Sequence, residues 1–214
     1  MAPIDYARAR RALMRRDPVI AVLIREHGEC GLASSQRGDP FQALLHAIIA
    51  QQLSTKAART IEGRLSAIFA GKPTPAAVAA VADEQLRSVG LSPQKLKYVR
   101  DLCAHILSGW LELDRLDLLT DDEVVAALTE VKGIGRWTAE MFLMFRLLRP
   151  DVLPVGDLGI VKAVQRAYKL RKLPSPDRLT KIGEPWRPYR SIACWYLWAS
   201  LDALPLKASK NGRG

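Results

Sequence analysis

The chain has 214 residues, almost half of them apolar, which suits one large domain or two small lobes sharing a core. No apolar run reaches the ~18 residues of a membrane span, and the start, Met1-Ala2-Pro3-Ile4-Asp5, has no hydrophobic signal segment, so a soluble protein is expected. A net charge of +10 favours polyanion partners, nucleic acid first, while Cys30, Cys103 and Cys194, far apart and without CxxC spacing, argue against a disulfide scaffold, a zinc site or an iron–sulfur cluster.

A basic helix is expected over 4–16, carrying Arg8, Arg10, Arg11, Arg15 and Arg16, then a short helix over 18–27 and a loop over 28–38. Asp39-Pro40 opens the next helix with an N-cap acid and a proline in its first turn, and Phe41, Leu44, Leu45, Ile48 and Ile49 recur at core spacing. Another helix follows Ser54, with Ala57, Ile61, Leu65 and Ile68 on one face. Thr74-Pro75 and Ser92-Pro93 are further starts, and the helix after Ser92 is expected to bury Leu96, Val99, Cys103, Ile106 and Leu107. Thr120 and Glu123 have capping-box spacing ahead of Val124, Val125 and Leu128. No stretch alternates like a strand, so the expected fold is all-α with about ten helices. His27, His46 and His105 lack metal-ligand spacing and read as structural or exposed.

The most informative stretch is Val131-Lys132-Gly133-Ile134-Gly135-Arg136-Trp137-Thr138-Ala139. A helix ends, a Gly-Ile-Gly hairpin turns and a second helix begins. Gly133 and Gly135 permit backbone angles closed to other residues and leave the amides bare at a helix N-terminus, where a phosphate is favoured. Carbonyls of the same turn, Val131 and Gly133, offer a place for a monovalent cation, K+ or Na+, shared with that phosphate. By itself such a turn is also an ordinary connection between helices.

The context extends the reading. The hairpin segment and the following Leu153-Pro154-Val155-Gly156-Asp157-Leu158-Gly159 resemble the helix–hairpin–helix DNA glycosylase superfamily that includes endonuclease III. Ala47-Ile48-Ile49-Ala50-Gln51-Gln52-Leu53-Ser54 resembles its first barrel helix and DNA-probing loop, and Gly90-Leu91-Ser92-Pro93-Gln94-Lys95 resembles its Gly-hydrophobic-Lys turn. Trp186-Arg187-Pro188-Tyr189-Arg190-Ser191 is similar to the C-terminal helix of the alkylation-repair branch, the DNA-3-methyladenine glycosylase II type. The resemblance runs in order over residues 40–202. It implies a two-lobed helical bundle with the active-site cleft between lobes: 40–150 as a six-helix barrel carrying the hairpin, and 1–39 with 151–214 as the second lobe. This would be a compact form, without the β-rich N-terminal domain of that branch's best-known member.

The same resemblance implies a chemistry. Breaking a C1′–N bond builds positive charge on the sugar, which a nearby carboxylate stabilises. Asp157 matches the family's catalytic aspartate, with Asp151 the nearest competitor; Asp157 also reads as a plain N-cap. Bifunctional members carry a Schiff-base lysine after the position of Arg136, where this chain has Trp137, so base release without strand cleavage is implied. Trp137 and Trp198 match pocket aromatics that hold a flipped base, and Met141 stands where the relative has a tyrosine. Trp110 is expected in the core, and Trp186 and Trp195 stay open. The DNA-contacting set is Gln51, Gln52 and Leu53 in the probing loop, with Gln52 in the wedge register and Leu53 its apolar rival, and Lys132, Gly133, Ile134, Gly135, Arg136 and Thr138 at the hairpin. The implied function is a monomeric glycosylase acting on alkylated purines in double-stranded DNA, with no required cofactor and no membrane partner. The alternatives are a glycosylase for hypoxanthine, ethenoadenine or an oxidised base, and a DNA-binding module without catalysis.

Overall fold

The computed structural model describes residues 4–34, 38–69 and 71–201. The readings of Met1–Pro3, of part of the 28–38 loop and of the last residues of the 151–214 segment lie outside the described residues. Among the described residues twelve α-helices follow in chain order: α1 Tyr6–Arg16, α2 Pro18–His27, α3 Pro40–Ala50, α4 Thr55–Ile68, α5 Pro75–Ala80, α6 Asp83–Ser88, α7 Pro93–Leu107, α8 Asp121–Thr129, α9 Arg136–Phe145, α10 Leu158–Ala167, α11 Pro176–Gly183 and α12 Arg190–Ala199. Short 3₁₀ turns occupy Gly31–Ser34, Leu113–Leu118 and Glu184–Trp186, and there is no strand among the described residues. The fold is all-α. The chain divides into two compact units, 36–147 and 1–35 with 148–214.

In the 36–147 unit local chemistry sets the helix starts. Asp39, Ser54, Thr74 and Ser92 each accept a hydrogen bond from a first-turn amide of α3, α4, α5 and α7. Thr120 and Glu123 complete both halves of the capping box at α8. Phe41, Leu44, Leu45, Ile48 and Ile49 of α3 are all buried, as are Leu96, Val99, Leu102 and Cys103 of α7. On α4 the covered residues are Ala58, Ile61 and Leu65, with Ala57 and Ile68 half-buried.

Two core expectations fail here. Leu107 is 54% exposed and Ile106 only half-buried, because α7 stops at this point: Ser108 is its C-cap and Gly109 turns the chain at φ +75°. Trp110 is also exposed, its ring edge-on to His105 at 5.1 Å between centroids.

The other unit packs α1, α2, α10, α11 and α12. Asp17 ties it together. Its Oδ1 accepts from the Val19 and Ile20 amides at 2.8 and 3.1 Å, capping α2. Its Oδ2 accepts from the Trp186 indole at 2.9 Å and from the Tyr168 hydroxyl. Trp186 is therefore a core residue, and Trp195 lies so close to Gly31 that a Cβ there would stand 2.7 Å from its ring. The three cysteines form no disulfide and are buried, and burial pushes Cys30 up to about 12 and Cys103 to about 11, as expected of inert thiols.

Candidate active site and nucleic-acid interface

In the 36–147 unit, α8 ends at Thr129 and α9 begins at Arg136, with the hairpin between them. Gly133 has φ +85°, a left-handed angle, whereas Gly135 has φ −93° and ψ 172°, which any residue adopts. The expectation of two special glycines is thus corrected to one. Gly133 is needed twice over, because a Cβ there would lie 2.2 Å from Cδ2 of Tyr98. At Gly135 a Cβ would meet nothing within 4 Å. Among the described residues the Gly133 and Gly135 amides donate no hydrogen bond, while the Ile134 amide donates to the Val131 carbonyl at 3.0 Å. Two bare amides at the start of α9 form a surface for an anion.

Several hairpin side chains differ from expectation. Ile134 is 3% exposed and Thr138 8%, so both side chains are buried. Lys132 is tied to Asp101: its Nζ lies 3.1 Å from Oδ1 and its amide donates to Oδ2 at 2.8 Å. Burial raises the Asp101 carboxyl, but the Lys132 amide and ammonium, with His105, outweigh it and hold the group below the usual carboxylate range. Arg136 is exposed and its Nε lies 3.0 Å from Oε1 of the buried Glu140.

The probing loop follows α3. Gln51 caps the helix and turns its amide inward, donating to the Gly133 carbonyl at 2.7 Å. The bond joins the loop to the hairpin. Lys95, its ammonium destabilised by burial, donates from Nζ to the Ile49 carbonyl at 2.7 Å. Gln52 stands exposed at φ +57°, an uncommon angle for a side chain of this kind, and Leu53 is 39% exposed. Lys95, Tyr98 and Asp101 recur at three-residue intervals on α7 and between them hold the ends of both loops. The turn motif pointed to Lys95; no local signal marked Tyr98 or Asp101.

The Val131 and Gly133 carbonyls, two residues apart in the turn, each accept one hydrogen bond, the first from the Ile134 amide and the second from the Gln51 side chain. Each keeps a second lone pair, and oxygen donors of this kind fit a hard monovalent cation.

The catalytic candidate lies in the other unit. Asp157 is the N-cap of α10 and 8% exposed. Its Oδ1 accepts from the Ile160 amide at 2.7 Å and from Nε1 of Trp198 on α12 at 3.0 Å. Two donors on one oxygen, at the positive end of a helix, hold a buried carboxylate in a fixed plane. Gly159 makes room: a Cβ there would lie 3.0 Å from Asp157 Oδ1 and 3.1 Å from Trp198 Nε1. The competitor Asp151 is a structural clamp instead. It takes Nε of Arg190 at 2.8 Å on Oδ1, and Nη1 of Arg187 at 2.8 Å and Nη2 of Arg190 at 3.0 Å on Oδ2. Trp198 is 6% exposed, so it presents mainly its N–H, to Asp157. Trp137 is 52% exposed in the first turn of α9, with half-buried Met141 one turn on along the same face.

A helical hairpin with bare amides and a buried helix-capping carboxylate define a protein of the DNA base-excision class. Residues 45–188 match the HhH-GPD superfamily of base excision DNA repair proteins, and the chain belongs to that family. It is 34% identical over 168 residues to DNA-3-methyladenine glycosylase 1 of Schizosaccharomyces pombe, covering 77% of this chain and 74% of the relative. The crystal structure of a Bacillus halodurans DNA-3-methyladenine glycosidase superposes with TM-score 0.83 at 38% identity, over 90% of this chain and 88% of the other. The Schizosaccharomyces pombe 3-methyladenine DNA glycosylase in complex with abasic DNA superposes with TM-score 0.79 at 31% identity, over 91% and 97%.

Proposed function

We propose that this protein is a DNA glycosylase that hydrolyses the N-glycosidic bond of alkylated purines, of the 3-methyladenine and 7-methylguanine type, and leaves an abasic site in an intact strand. The observation that carries the reading is Asp157, a buried carboxylate fixed by the Ile160 amide and the Trp198 indole in a chain of this family. Its charge stabilises the oxocarbenium-like sugar as the base departs and orients the attacking water. An alkylated purine is cationic and already a good leaving group, so a strong general acid is not required.

The exposed face of Trp137, with Met141 beside it, suits an electron-poor flipped base. Trp198 serves the pocket by positioning Asp157. Gln52, held out at φ +57°, fills the gap in the stack, with Leu53 at its side. The amides of Gly133 and Gly135 take a backbone phosphate, and a K+ or Na+ on the Val131 and Gly133 carbonyls would supply further positive charge to it. The protein acts as a monomer on double-stranded DNA. Among the described residues no helix is long and apolar enough to cross a membrane.

The test is a panel of duplexes bearing single methylated purines, hypoxanthine, ethenoadenine or 8-oxoguanine, incubated with the protein and then treated with hot alkali. Alkali-dependent cleavage only at methylated purines is expected. Cleavage confined to another lesion would move the substrate class, and cleavage at none would leave a binding protein.

A further inference from the structure

We propose a second phosphate-binding site, a cationic cradle formed by Lys169, Arg171, Lys172 and Arg178, that grips the DNA backbone independently of the hairpin. These four residues, with Leu170, line a concavity of about 400 Å³ in the unit that holds Asp157. No acid lines it; Asp177, the neighbour of Arg178, is not among its walls.

Three observations separate this cluster from an ordinary solvated face. First, among the described residues four cations without a carboxylate partner share one concavity that no acid lines, whereas the equally unpaired Arg8, Arg11 and Arg15 are spread along α1. Arg100, Arg115, Lys132, Arg136, Arg187 and Arg190 all pair with carboxylates. Among the described residues none of the four cradle side chains does, so four like charges share one hollow and repel one another until an anion enters.

Second, the backbone is strained to place one of them. α10 ends in a Schellman motif, with the Leu170 amide donating to the Gln165 carbonyl at 2.9 Å and the Lys169 amide to the Arg166 carbonyl at 3.2 Å. Lys169 occupies the left-handed position at φ +53°, which normally belongs to glycine. A lysine kept there against its backbone preference points to a use for its charge.

Third, the helix dipoles do not explain the cluster. The C-terminal end of α10 favours Lys169, but Arg178 lies in the first turn of α11, where the dipole disfavours a cation. An oxyanion reverses that balance, since it is attracted both by the side chains and by the positive end of α11. Exposed, rotatable side chains with no base-reading partners suit phosphodiester oxygens and carry no sequence preference. The cradle lies at the far end of α10 from Asp157, about 15 Å along a ten-residue helix.

The choice of DNA as ligand rests on the glycosylase reading, and the experiment keeps the two apart. Affinity of the full chain for an undamaged duplex is measured against salt for wild type and for Arg171→Gln/Lys172→Gln/Arg178→Gln. Each lost phosphate contact lowers the slope of log K against log salt by about 0.9, so a fall of about 2 to 3 is expected. The control neutralises three exposed cations of α1, Arg8→Gln/Arg11→Gln/Arg15→Gln, and should leave the slope within about 0.5 of wild type. A single Lys172→Gln, expected to lower it by about 0.9, guards against a folding defect in the triple variant. An unchanged slope in the cradle variant, or an equal fall in the α1 variant, overturns the site. If wild type excises nothing, the glycosylase reading fails while the slopes still decide the cradle.

Discussion

Replacing Gly133 with alanine tests the hairpin's construction most sharply. The new Cβ must adopt a left-handed angle, φ +85°, at a cost of about 1–2 kcal/mol. It also falls 2.2, 2.4 and 2.6 Å from three carbons of the Tyr98 ring, which must move; overpacking of this kind costs about 1–3 kcal/mol. The expected destabilisation is therefore about 2–5 kcal/mol, a large share of the roughly 5–15 kcal/mol of a typical domain. Gly135→Ala meets open space at an ordinary angle and should cost about 0.5–1 kcal/mol, through the weaker N-cap alone. Urea unfolding of both variants gives the comparison. A double-mutant cycle with Tyr98→Ala should recover about 1–3 kcal/mol of coupling, because removing the ring relieves the clash but leaves the backbone strain. Equal stability of Gly133→Ala and wild type, or strict additivity with Tyr98→Ala, would refute the reasoning. The binding role separates in the same pair: Gly135→Leu should weaken undamaged-duplex binding with little loss of stability, by covering a bare amide.

Asp157→Asn keeps the helix cap and the indole bond, so it should bind duplex normally yet excise about 100-fold more slowly or worse in single turnover; near-normal excision would end the assignment. Trp198→Phe keeps the bulk and loses the N–H, so single-turnover excision should fall about tenfold with duplex affinity unchanged; affinity falling in step would mean a general defect. Trp137 cannot form an imine, so borohydride should trap no protein–DNA adduct, and Trp137→Ala should slow release of methylated purines. A robust adduct with the unmutated chain would point to a lysine elsewhere. The Asp101 carboxyl is held below its ordinary range when folded, so its contribution is complete above that range and is lost as pH falls through the depressed value. Unfolding stability followed from pH 6 to pH 2 should decline more steeply in wild type than in Asp101→Asn; parallel curves would show that the Lys132 tether contributes nothing.

What the sequence determined by itself was local in origin. Asp39, Ser54, Thr74, Ser92, Thr120 and Asp157 were legible as helix starts because a capping side chain bonds an amide two or three residues away. The apolar stripe of α3 was legible because helical period alone decides which residues share a face. Asp157 and the hairpin were found through a family motif, itself a short contiguous pattern. Tertiary structure decided what each site residue touches. The Asp157 carboxylate meets Trp198 across 41 residues, Gln51 meets Gly133 across 82, and Asp17 meets Trp186 across 169. The ion pair of Lys132 with Asp101 of α7, and the burial of the Ile134 and Thr138 side chains, had no local signal in the sequence. Periodicity specifies the face a residue occupies, but the group opposite that face comes from a distant part of the chain, and only the packing of helices fixes which one it is.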